Sequence, residues 1–182
     1  SATEANINWL IQHHYRSLVV RRERSRHFDS AQSVDVATAS GQTVQLQRVV
    51  SDDGSEVRLY CHSEARQEKE TAMTNRFTQQ FEDGLAKLAA GLLKPRGEKN
   101  RDKLLQRIGR LQEKSHGIGR HYRIELTPAE GALVTGITWT KEPIDGTQLT
   151  HPGVYCLRTN ELRWDAATLW QTYTQLTDLE AV

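Results

Sequence analysis

From Ser63 to Lys94 the apolar residues recur at helical spacing. Met73, Phe77, Phe81, Leu85, Leu88 and Leu92 make one continuous stripe, with Gly84 and Gly91 tolerated inside it. A long amphipathic helix must bury its stripe against something, and the chain supplies a partner directly afterwards. "KPRG" breaks the pattern. A second helical run then extends from Glu98 to Lys114, with Leu104, Leu105, Ile108 and Leu111 inward and "SHGIG" closing it. Two helices joined by so short a break read as an antiparallel hairpin.

Strand patterns lie on both sides of this hairpin. "SVDVAT", "TVQLQRVV" and "SEVRLYCH" alternate with period two, and "ASGQ" and "SDDG" read as the turns of an antiparallel meander. "HYRIEL" and "GALVTGITWT", joined by "TPAE", form a further pair. At the start, "TEANINWLIQHH" reads as a short helix capped by Thr3, followed by the apolar strand "YRSLVV". At the end, "VYCLRT" is a strand, and Asp165 caps a last helix containing Leu169, Tyr173 and Leu176. Helix next to short strand at both ends suggests one α/β layer, at 1–22 and 151–182. The polar linker, meander, hairpin and extra strands at 23–150 would then be an insertion. A single α+β domain is the alternative.

Overall charge is nearly neutral at +1, but it is unevenly spread. Between Lys94 and Arg123 there are ten Lys or Arg and three acids, and between Arg16 and Arg26 five Arg and one Glu. Such stretches are what an electrostatic footprint for phosphate requires. No apolar run approaches the ~20 residues of a membrane span, and "SATEANINWL" is not a signal peptide. Cys61 and Cys156 leave a disulfide open but fit buried reduced thiols of a cytosolic protein better. No His or Cys pair has zinc-ligand spacing, and "GIG" lacks the context of a dinucleotide fingerprint. Trp139, Trp164 and Trp170 could stack on bases, although their strand and helix positions favour the core.

The last helix carries an unusual feature. At about 100° per residue, Leu169 and Leu176 lie within about 60° of Tyr173, and Glu180 lies about 20° away. A carboxylate therefore continues the apolar stripe, where it is costly unless it is paired or binds a metal. No helix-stop signal follows it before Val182.

The stretch "GVYCLRTNELRWDAATLWQTYTQLTDLEAV" resembles the region around the last catalytic acid of DDE-class insertion-sequence transposases of the IS-four type. That family has an RNase H-like fold and carries Tyr-x-x-Arg-x-x-x-Glu-x-x-x-x-x-x-Lys on one helix. Tyr173 and Glu180 stand at the Tyr and Glu positions, and Leu176 stands where the Arg is expected. The Lys position would fall beyond Val182. "EVRLYCHSE", "KPRGEK" and "RIGRLQEKS" also resemble stretches of such transposases, in this order. "ATEANINWL" resembles the segment following the second catalytic Asp.

The resemblance implies partial RNase H-like elements at both ends of the chain, bracketing a mostly antiparallel β and helical-hairpin insertion. It implies an internal fragment with both catalytic aspartates upstream of Ser1. The parent enzyme would cut transposon ends and join them to target DNA, by two-metal hydrolysis and strand transfer with Mg²⁺. Glu180 would be a catalytic metal ligand, and Tyr173 would orient a phosphate or pack. The 182 residues alone would bind Mg²⁺ weakly and have no nuclease activity. The expected partners are DNA and a second copy in a synaptic homodimer, in the cytoplasm at the nucleoid. The basic hairpin residues Lys94, Arg96, Lys99, Arg101, Lys103, Arg107 and Arg110 would contact DNA backbone, although such a run can also be a solvated helix face. The alternative is a non-enzymatic nucleic-acid-binding or oligomerisation module.

Overall fold

The computed structural model describes residues 3–21, 26–38 and 41–180, with residue 21 and residues 176–180 described in their backbone alone. The fold is α+β and its strands pair antiparallel throughout the described residues. It divides into two units, one formed by Ser1–Glu70 with Gly146–Val182 and one by Thr71–Asp145. No described helix is long and apolar enough to cross a membrane.

In the first unit, helix α1 (Glu4–Gln12) starts as its sequence suggests, with the Asn6 N–H donating to the Thr3 hydroxyl. Strands β1 (Leu18–Arg21), β2 (Val34–Ala37), β3 (Thr43–Val50), β4 (Val57–Ser63) and β7 (Val154–Thr159) form one sheet, in the order β1-β7-β4-β3-β2. The β3–β4 turn holds Gly54 at φ +67°, which glycine adopts without a side-chain clash. Ser51 and Ser55 hydrogen-bond to Asp53 there, and those bonds lower its carboxyl to about 2. Residues 39 and 40 of the other expected turn lie outside the described residues.

Pairing register sorts the side chains onto two faces. Leu46 opposite Cys61, Cys61 opposite Tyr155, and Leu59 opposite Leu157 share one face, and helix α4 (Ala166–Glu180) packs Ala166, Leu169 and Trp170 on it. Asp165 caps α4 by accepting from the Thr168 N–H at 2.7 Å. The other face pairs Arg58 directly with Arg158. Like charges so placed repel. Glu56 relieves them by accepting from both, and Glu4 of α1 binds Arg158 through both carboxylate oxygens at 2.8 Å. Because Cys156 pairs with Tyr60 rather than Cys61, the two cysteines point to opposite faces and remain free thiols.

The expected boundaries at 22/23 and 150/151 placed the meander with the hairpin. In the structure the meander completes the sheet of β1 and β7, and the division falls at Glu70/Thr71 and Asp145/Gly146. Alternation within β2, β3 and β4 reveals which face is buried but not which distant strand pairs with them.

The second unit contains most of helix α2 (Glu64–Leu92), helix α3 (Arg101–Lys114) and the hairpin of β5 (Tyr122–Pro128) and β6 (Val134–Lys141). α2 and α3 run antiparallel: Phe77 stacks on His116, Gly84 meets Leu111, and Leu92 clusters with Leu104. Phe81, Leu85, Ile108, Ile118 and Tyr122 form one buried cluster, and Leu92, Leu104, Val134 and Ile137 another. Trp139 packs against both, so it serves the core. At the α2–α3 break, a side chain on Gly97 would strike the Gly91 carbonyl oxygen, at 1.8 Å.

Candidate nucleic-acid interface

Gly84 on α2 faces Leu111 on α3, where an added Cβ would come within 2.8 Å of the leucine side chain. That close approach leaves a groove of about 290 Å³, floored by Gly84, Leu88 and Leu111 and rimmed by Lys87, Arg107, Arg110 and Lys114. Arg107, Arg110 and Lys114 follow one another at i, i+3 and i+7, so one side of α3 presents all three. Its next side carries Leu104 and Ile108 into the core. Among the described residues no acid lines the groove, and of its four cations Arg107 interacts with the charge of Glu98. Four like charges so close repel one another, a cost that a bound polyanion removes.

The helix ends hold this rim in place. Asn100 caps α3 by accepting from the Lys103 N–H at 3.1 Å, and Glu98 accepts from the Asn100 N–H at 3.1 Å. At the other end the Ser115 hydroxyl donates to the Gln112 carbonyl, and His116 directly after this cap takes a left-handed φ of +51°, followed by Gly117 at +88°, so the chain leaves the helix there. Tyr122 donates to Glu82 on α2; burial, then that bond, raises its hydroxyl above the ordinary range. His121 is buried, and its Nδ1 accepts from the Ile144 N–H. Burial, with the charges of Arg120 and Lys141, holds the imidazole below its usual range and hence neutral near pH 7.

The expected basic residues are divided among several positions. Arg107 and Arg110 line the groove. Lys103 pairs with Glu98 at 3.5 Å, Arg101 is exposed at the start of α3, and Lys94, Arg96 and Lys99 lie in the break before it. Lys87 and Lys114 complete the rim although neither was singled out from the sequence. Lys87 is on the other helix, where only a spacing of three from Gly84 could have shown it. A second, smaller groove, of about 140 Å³, is lined by Arg123, Glu125, Thr138, Trp139, Thr140 and Glu142. Its arginine is already paired to Glu125 at 2.8 Å, so it offers an anion little.

The expected catalytic elements lie in the first unit. Tyr173 packs on the sheet face beside Tyr155, with ring centroids 6.4 Å apart. The backbone of α4 extends to Glu180, but the side chains of Leu176 and Glu180 lie outside the described residues. Among the described residues no three His, Cys, Asp or Glu side chains converge, so these residues offer Mg²⁺ no site of three carboxylates. Trp170 is buried and donates to the Tyr155 hydroxyl at 2.8 Å, and Trp164 packs at the edge of the same core. Trp9, on α1, is 52% exposed.

No family model matches the chain, and no curated protein and no solved structure is significantly similar to it.

Proposed function

We propose that the chain is a DNA-binding part of a DDE-class transposase, and that its second unit grips nucleic-acid backbone. The observation that supports backbone binding best is the groove rimmed by Lys87, Arg107, Arg110 and Lys114, four exposed cations around a floor that no acid lines. Lys and Arg at such spacing recognise phosphate without reading sequence, so the binding is general rather than site-specific. The catalytic part of the reading rests on the resemblance alone, with Glu180 as the acid this chain contributes, an RNase H-like core around it, and Mg²⁺ bound jointly with carboxylates from elsewhere in the parent.

Duplex binding followed by fluorescence anisotropy across a salt series tests the groove. Contact by all four cations gives log K a slope of about −3 to −4 against log salt. Reversing Arg107 and Arg110 to Glu lowers affinity by more than about tenfold and removes about two units of slope. Unchanged affinity and slope would place DNA binding elsewhere. The transposase assignment has a separate test in the flanking coding DNA. It requires an Asp codon shortly before Ser1 and a Lys codon at the motif's position after Glu180, and stop codons or unrelated sequence there would remove it.

A further inference from the structure

Helix α1 ends in a stack of three aromatic rings. Trp9 lies on His13 with centroids 4.1 Å apart and planes 24° apart, and on Tyr15 at 6.0 Å and 13°. A hydrogen bond, a backbone turn and an anchor to the sheet hold the stack together. The His13 ring nitrogen Nδ1 is 2.8 Å from the Trp9 carbonyl, which holds the imidazole against its own helix. His14 adopts a left-handed φ of 59°, which turns the chain back so that Tyr15 returns to Trp9. Asn160 then anchors this turn to the sheet, donating to the Tyr15 carbonyl at 2.9 Å and accepting from the Ser17 N–H at 2.8 Å. In spite of this ordering, Trp9 is 52% and Tyr15 56% exposed.

Charge next to the stack favours one kind of occupant. Arg16 pairs with Glu161 at 3.1 Å and Arg163 with the same carboxylate at 3.5 Å. Two guanidiniums share one acid, leaving a net positive charge. The carboxylate is only 6% exposed, whereas the arginine side chains are 61% and 78% exposed. Solvent therefore meets the partly exposed Trp9 and Tyr15 rings, with the exposed Arg16 next in sequence to Tyr15 and its compensating acid buried. An apolar protein surface would gain little from those cations. A duplex hides its base faces and could use only the cations. Unpaired nucleotides supply both complements, as planar bases for the rings and phosphates for the arginines.

We infer that the Trp9–His13–Tyr15 stack, with Arg16 and Arg163, is a binding platform for single-stranded nucleic acid. It is separate from the backbone groove of the second unit. The test uses the whole chain, an oligothymidylate and a duplex of equal length. Oligothymidylate quenches Trp9 fluorescence, and Trp9→Leu, which keeps apolar bulk but removes the ring, lowers single-strand affinity about tenfold while duplex affinity stays within twofold. Tyr15→Leu gives a similar loss, and unchanged urea midpoints confirm folding. Reversal of Arg107 and Arg110 lowers duplex affinity, which Trp9→Leu and Tyr15→Leu leave unchanged, so failure of the groove and failure of the platform are distinguishable. Equal single-strand affinity in wild type, Trp9→Leu and Tyr15→Leu overturns the inference. So does a dimer that dissociates in Trp9→Leu with oligothymidylate binding unchanged, which would make the patch a self-association surface.

Discussion

Glu70 shows how far a single residue can depart from its local sequence context. In the primary structure it is one more charge at the start of a long helix, a position normally left to solvent. In the fold it is 8% exposed. Arg26 reaches it at 2.6 Å, Arg66 at 3.0 Å, and the Gly153 N–H donates to it at 2.9 Å. Gly153 is itself constrained, since its φ is +81° and a Cβ there would approach the Ser63 carbonyl oxygen to 2.8 Å. Burial alone would raise the Glu70 carboxyl, but the hydrogen bonds from Arg26, Gly153 and Arg66 outweigh it and keep the carboxyl below the ordinary glutamate range. Glu70→Gln leaves the partly buried Arg26 short of its counter-charge, with the exposed Arg66 beside it, and urea unfolding should register a loss of about 3 kcal/mol. The pH dependence follows from the depressed folded value. The stabilisation is complete above the unfolded glutamate value of about 4.3 and is lost as pH falls through the lower folded value. The stability gap between wild type and Glu70→Gln should therefore be constant near neutrality and narrow in acid. A gap that persists unchanged in acid would show that the carboxylate's charge is not what stabilises the cluster.

At the scale of elements, what could be read from the sequence was what neighbouring residues encode. The α2 stripe from Phe77 to Leu92 and the meander strands are visible because burial imposes a period on adjacent positions. The cap at Asp165 is visible because a short polar side chain precedes an apolar helical run. Glu98 was expected to open α3, but the helix begins at Arg101 because Asn100 takes the cap and Glu98 instead accepts from the Asn100 N–H. Asn100→Ala should cost about 1 kcal/mol in thermal or urea unfolding, and Asn100→Asp should recover most of it. A variant as stable as wild type would mean that the β-bridge between Asn100 and Leu133 already positions the helix start. The candidate site was only half legible for a related reason. Arg107 and Arg110 stand out in a basic run, whereas Lys87 acquires its meaning only when Gly84 lets α3 approach. The ring stack of Trp9 was hidden too, since its closing contact depends on the left-handed backbone at His14.

For the whole molecule, the organising fact is that one unit is a continuous segment and the other is not. The second unit draws its two buried clusters entirely from residues between Phe77 and Trp139. A segment comprising residues 64–145 should therefore unfold cooperatively when produced alone, with helical circular dichroism and a single urea transition. A gradual, non-cooperative loss of signal would show that it depends on the rest of the chain. Residues 1–70 produced alone should not fold, because the core beneath α4 needs Leu157, Leu169 and Trp170.

The position of β7 between β1 and β4 has a consequence for how the chain is made. Synthesis proceeds from the N-terminus, so β1 to β4 leave the ribosome well before the strand that joins them. During that interval β4 exposes one edge while all of the second unit emerges and can fold. The sheet is then closed by β7, which emerges only after the whole of the second unit. A ribosome paused before Val154 would hold a nascent chain with its helical hairpin formed and its sheet still open, and that open edge is where a chaperone would be needed.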